Sequence, residues 1–160
     1  MALEHQKSIV LLTATSLFGS AAALVRLEFE AYVRGIWLLF CASEPQLKIF
    51  KNDKLDRKFG QLIEDVEKLE AYNSGTLSHV KKVSWDVMNS LTHSGYYQVI
   101  RRNTADEIIP NYTDDELLNA LSSANSFGIL TAVEIANIAK DEELAHEILE
   151  RGQTYFEKAP

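Results

Sequence analysis

Four histidines stand in the chain, and one of them keeps company that could handle a phosphodiester. Lys82, Asp86, Asn89 and His93 recur at i, i+4, i+7 and i+11, a narrow polar stripe on a helix. Ser94-Gly95 follows at once, which places His93 at a helix end, where the dipole favours a protonated imidazole. Tyr96, Tyr97, Gln98, Arg101 and Arg102 come next. Imidazole moves protons near neutral pH, and guanidinium holds anionic oxygens. His93 is therefore the candidate general acid or base and Asn89 its orienting partner. Tyr97, Arg101 and Arg102 are candidate ligand contacts. The plainer alternative is a solvated polar stripe ended by a histidine.

A second constellation lies in the segment Leu24–Ala42, which is apolar on every side except one. Such a segment predicts a buried, central helix. On it Arg26, Glu30 and Arg34 follow one another at i,i+4 spacing. Charges in a core must be paired, since unpaired burial costs several kcal/mol, on the order of 3–5. Glu30 between two guanidiniums meets that need locally. Two readings stay open: a salt-bridge ladder that fixes helix register, or one wall of a polar pocket.

Other patterns carry less. Glu143-Leu144-Ala145-His146 has the Glu-x-x-His spacing of di-iron bundles, but no other histidine has Glu three residues before it. No metal and no cofactor is expected. One cysteine, Cys41, excludes an internal disulfide and a zinc finger, and a cytosolic compartment fits best. There is no glycine-rich phosphate loop. Lys51, Lys54, Arg57 and Lys58 interleave with Asp53 and Asp56 and read as solvated surface. Trp37 and Trp85 read as core.

The elements that must position these groups are helical throughout. Apolar residues recur with helical periodicity and no stretch shows the period-2 alternation of a strand. Helices are expected over about Leu3–Phe18, pausing at Gly19-Ser20, and over Ala21–Ala42. Ser43 with Pro45 opens a short one to Asn52. The next covers Leu55–Tyr72 and stops at Asn73-Ser74-Gly75, and another covers Thr76–His93. Residues 94–112 look irregular. Thr113 and Glu116 form a capping box that opens a long helix to Ala139, and a last helix follows Lys140-Asp141 to Glu157. The fold class is all-α, a single-domain helical bundle over residues 1–160 with about six or seven helices. Helix 21–42 against helix 76–93 is its expected core pair.

The string Val25–Leu39, with Arg26, Glu30 and Arg34, and the stretch Trp85–Gly95, with Asn89 and His93, followed by Arg101-Arg102, resemble a group of uncharacterised bacterial helical domains. That group is similar in turn to the HEPN superfamily, and the likeness spans most of Ala21–Ala139. It implies a HEPN-like bundle, often a homodimer, and in many members a metal-independent ribonuclease of toxin–antitoxin or phage-defence systems. The implied partners are RNA or a nucleotide. The HEPN site pairs an Arg and a polar residue with a His further on; Asn89 and His93 match the last two, while Met88 stands at the Arg position. Arg26 or Arg34 would then supply the guanidinium, organised by Glu30. The reading of another class is a catalytically inactive helical module that dimerises or binds a protein partner.

Charge bounds these readings. The 160 residues carry a net −7, which argues against a DNA- or RNA-coating surface. The acidity is uneven. Residues 1–104 hold 13 basic against 11 acidic groups, and residues 105–160 hold 3 against 12. A small positive site near His93 is compatible with that split. From Ser8 to Val25 no residue is charged over 18 positions, the low edge of a membrane span. Thr13, Thr15, Ser16, Gly19 and Ser20 dilute it, and Glu4 beside Lys7 removes a clear positive flank. A soluble core helix is expected there, with no membrane partner, rather than a span or a signal peptide.

Overall fold

The computed structural model describes residues 1–158, and among them there are eight α-helices and no strand. They are α1 Ala2–Ala14, α2 Phe18–Phe40, α3 Glu44–Lys51, α4 Phe59–Val66, α5 Thr76–Thr92, α6 Tyr96–Ile100, α7 Asp114–Ile138 and α8 Glu142–Lys158, with a 3-10 turn at Glu70–Tyr72. The eighth helix is α6, inside the stretch expected to be irregular. None of the described helices is long and apolar enough to cross a membrane.

Local signals act where expected at three helix starts. Ser43 and Gln46 close a capping box before α3, with Pro45 in the first turn. Thr113 Oγ1 accepts from the Glu116 N–H at 3.2 Å while Glu116 Oε2 accepts from the Thr113 N–H at 2.9 Å. Lys140 takes a positive φ of 59° and separates α7 from α8.

Boundaries differ from expectation in two regions. The first break falls at Thr15-Ser16-Leu17, because Ser16 adopts a left-handed φ of 60° and the Thr15 hydroxyl donates back to the Leu11 and Leu12 carbonyls. Gly19 lies inside α2 instead, where Arg102 and Gln98 rest on it; a Cβ there would stand 2.9 Å from Arg102 Nη2. The helix expected over Leu55–Tyr72 begins only at Phe59, after Lys58 in extended conformation and the reversal at Asp53, φ 55°, and it ends at Val66, with extended Leu69 separating it from the 3-10 turn Glu70–Tyr72.

Helix α2 is central, packed by α1, α4, α5 and α7. The expected pairing with α5 is present, yet α1 is its most extensive partner. Phe29, Val33 and Trp37 are fully enclosed, as are Leu62 and Val66 of α4 and Ile9 of α1. Phe29 stacks on Phe127 with ring centroids 4.9 Å apart and meets Phe59 edge-on at 5.1 Å. Phe59 in turn stacks on Trp85 at 4.9 Å. This aromatic run ties α2, α4, α5 and α7 together beyond what burial alone provides. Val133, Ala136 and Ala145 form a separate small cluster between α7 and α8.

Within this core sits a carboxyl group that the helix periodicity did not single out. Glu28 is 0% exposed, and neither of its oxygens has a hydrogen-bond partner among the described residues. Burial pushes its pKa up to about 8, so at pH 7 it is a neutral acid in the folded chain. A folded pKa above the unfolded value means stability that is full below pH ~4.5 and is lost as the pH rises through ~8. Glu28→Gln keeps the shape and removes the titration. Urea unfolding at pH 5 and pH 8 is expected to show the variant gaining on the native chain by ~3 kcal/mol over that interval; a constant difference would remove the buried-acid assignment.

Candidate functional site

The candidate site is built across the α2–α5 seam, where the end of α5 meets the first half of α2. The Thr92 hydroxyl donates to the Ala23 carbonyl at 3.1 Å and to its own-helix Met88 carbonyl at 2.8 Å, which fixes the α5 terminus on α2. His93 follows as the helix cap, and Ser94 turns the chain with a φ of 54°. The histidine is thereby laid beside Arg26, with Arg26 Nη1 2.5 Å from His93 Nε2.

Arg26 is held from three directions. Its Nη2 binds Glu30 Oε1 at 2.6 Å, and its guanidinium carbon lies 4.8 Å from the Trp85 ring centre. Its Nε is buried with no partner. A guanidinium only donates, so Nε2 of His93 is the accepting nitrogen and the ring proton sits on Nδ1. His93 itself is exposed.

The other expected residues divide. Asn89 lies part-buried one turn before His93 and is linked to it by the backbone, its carbonyl accepting from the His93 N–H at 3.0 Å. No hydrogen bond joins its side chain to the imidazole among the described residues, so Arg26 rather than Asn89 orients the ring. Arg101 turns away to Glu116, which it grips through Nε at 2.8 Å and through Nη2. Burial pushes the Glu116 carboxyl up, but the Thr113 amide and Arg101 outweigh it and leave the pKa below the usual value. Tyr97, whose N–H donates to Ser90 Oγ at 2.9 Å, lines a cavity of about 230 Å³ together with Arg101, Met88 and Tyr112. Arg102 is exposed and rests on Gly19, seven residues or ~10 Å along α2 from Arg26.

Arg34 does not complete a ladder. Glu30 bonds Arg26, whereas Arg34 has no carboxylate within 4.0 Å among the described residues. It lines a larger cavity between α1, α2, α3 and α7 with Glu30, His5 and Glu134. Elsewhere, Arg57 is more than solvated surface. It pairs with Asp65 at 2.5 Å and lies 5.5 Å from the Trp37 ring centre, while Trp37 Nε1 donates to Asp65 at 3.0 Å. His146 pairs with Glu150, not Glu143, and no group of three His, Cys, Asp or Glu among the described residues is placed to hold a metal.

A family model described as a family of unknown function, DUF6988, matches residues 1–160. The chain belongs to that family. No curated protein and no solved structure matches it. In this DUF6988 member the residue that sequence reasoning missed at the site is Trp85. It was read as core, and it does stack on Phe59, but it also carries Arg26 and, at 5.5 Å, the Lys81 ammonium. Its place one turn before Asn89, on the face that must meet a buried Arg-bearing helix, was the available signal.

Nitrogen NMR of the DUF6988 chain checks the seam directly. His93 is expected as the Nδ1–H tautomer with an unprotonated Nε2, and Arg26→Met is expected to shift that balance. A dominant Nε2–H form in the native chain would contradict the contact.

Proposed function

We propose that this DUF6988 chain is a HEPN-like bacterial protein with a metal-independent, RNA- or nucleotide-phosphate-directed site at Arg26 and His93. The observation that carries the reading is the 2.5 Å approach of Arg26 Nη1 to His93 Nε2. It supplies from α2 the guanidinium that Met88, buried in the core, cannot supply from α5. A substrate phosphate competes for Arg26, because a charge-assisted contact to an anion is stronger than one to a neutral ring. Moving Arg26 onto the phosphate frees the Nε2 lone pair. The imidazole then takes the proton of a 2′-hydroxyl as its oxygen attacks the neighbouring phosphorus, and the bond to the 5′-oxygen breaks, giving a 2′,3′-cyclic phosphate and a 5′-hydroxyl that takes its proton from water. Glu30 keeps the guanidinium aimed, and Arg102, further along the same face of α2, is the second cationic contact for an RNA strand.

A second reading has its own observation. Both terminal nitrogens of Arg26 are already engaged, and Val83, Val87, Tyr96 and Val99 of α5 and α6 are exposed beside the seam. That combination fits an inactive module whose α5–α6 face meets a second copy or another protein.

Cleavage of single-stranded RNA in the presence of EDTA separates them. The first reading expects cleavage by the native chain and a loss of roughly 10²–10⁴-fold in His93→Ala, with Arg26→Met also strongly impaired. Equal cleavage by native and His93→Ala chains, or none by the native chain, removes the nuclease and leaves the binding module.

A further inference from the structure

We propose that the open cavity lined by α1, α2, α3 and α7 is a binding site for an apolar carboxylate, a molecule with a hydrocarbon body and one anionic head, and that Arg34 receives the head. The cavity measures about 710 Å³, inside the range of about 300–1,000 Å³ in which small-molecule sites fall. Its walls are mainly apolar, with Leu27, Leu38 and Leu39 from α2 facing Ile135 and Ile138 from α7.

The charge in it is one-sided in a specific way. Two carboxylates line the cavity, and each already has a donor: Glu30 holds Arg26 at 2.6 Å, and Glu134 Oε1 accepts from the Tyr72 hydroxyl at 2.5 Å. Tyr32 stands beside Glu134 on the same lining. The part-buried Arg34 has no counter-ion among the described residues, and neither has His5 on the same lining. A guanidinium fork in an apolar setting suits a carboxylate, which it can bind through two parallel hydrogen bonds. The two flanking carboxylates disfavour a doubly charged head such as a phosphate monoester. Gly35 shows that the space is open: a Cβ there would meet nothing within 4 Å. Arg34 lies eight residues, or ~12 Å, along α2 from Arg26, so the proposal does not rest on the phosphodiester reading.

Calorimetric titration of the full chain with dodecanoate, with dodecanol as the uncharged control, tests it. One dodecanoate per chain is expected, with dodecanol at least tenfold weaker. Arg34→Gln is expected to weaken dodecanoate tenfold or more and leave dodecanol unchanged. Gly35→Phe, which adds bulk where α2 has free space, is expected to abolish both while circular dichroism and Tm hold; should that variant unfold, Arg34→Gln carries the test alone. No binding to the native chain, equal affinity for acid and alcohol, unchanged affinity in Arg34→Gln, or binding retained in a folded Gly35→Phe chain would each overturn the proposal. So would a stable dimer that Gly35→Phe dissociates, since a second copy would then occupy the cavity.

Discussion

A helix packed by four others holds an ionised side chain only if something compensates it, and α2 carries Arg26, Glu28, Glu30 and Arg34 within nine residues. The fold answers each differently. Arg26 is compensated by pairing, with Glu30 on its own helix, with Trp85 on α5 and with His93 at the cap of α5. Glu28 is compensated by protonation, since burial raises its pKa and leaves a neutral acid in the core. Arg34 is compensated by space, at the wall of a cavity. These solutions set where α5 can dock and where the bundle stays open.

The two candidate sites follow from that one constraint. The part-buried guanidinium of Arg26 needs acceptors, and among the described residues it reaches the exposed His93, so the seam presents an imidazole held by a cation. One turn further along α2, Glu30 belongs to both regions, binding Arg26 with one oxygen while lining the cavity of Arg34. A change at Glu30 therefore acts on both sides of α2, whereas changes at His93 and Arg34 act on one side each. Of the acidic helices, α7 packs on α1 and α2, and α8 packs on α7 around Val133, Ala136 and Ala145.

Much of this was legible in the residues. Thr113 with Glu116, and Ser43 with Pro45 and Gln46, are short-range chemistry, and short-range chemistry decided those starts. The burial of α2 was legible from its apolar circumference. The first break was misplaced because Gly19-Ser20 looks like punctuation, while the working signal was a Thr15 hydroxyl bonding backward and a Ser16 reversal. Glu28 lies off the i,i+4 line that joins Arg26, Glu30 and Arg34. Its position three residues after Val25 and four before Tyr32, both core, already required burial. The pairing of Arg26 with His93 rather than Asn89, and the parting of Arg34 from Glu30, depend on how α5 and α7 dock. Such docking is set by long-range packing that spacing along one helix does not encode.

The central claim is that Arg26 and His93 hold one another across the α2–α5 seam. A double-mutant cycle reads that directly, using Arg26→Met, which keeps an apolar stem over Trp85, and His93→Ala, with stability measured by urea unfolding at pH 7.5. The account predicts a coupling energy of about 1 kcal/mol or more between the two positions, as for a charge-assisted hydrogen bond. Additive effects, with a coupling below ~0.3 kcal/mol, would contradict it.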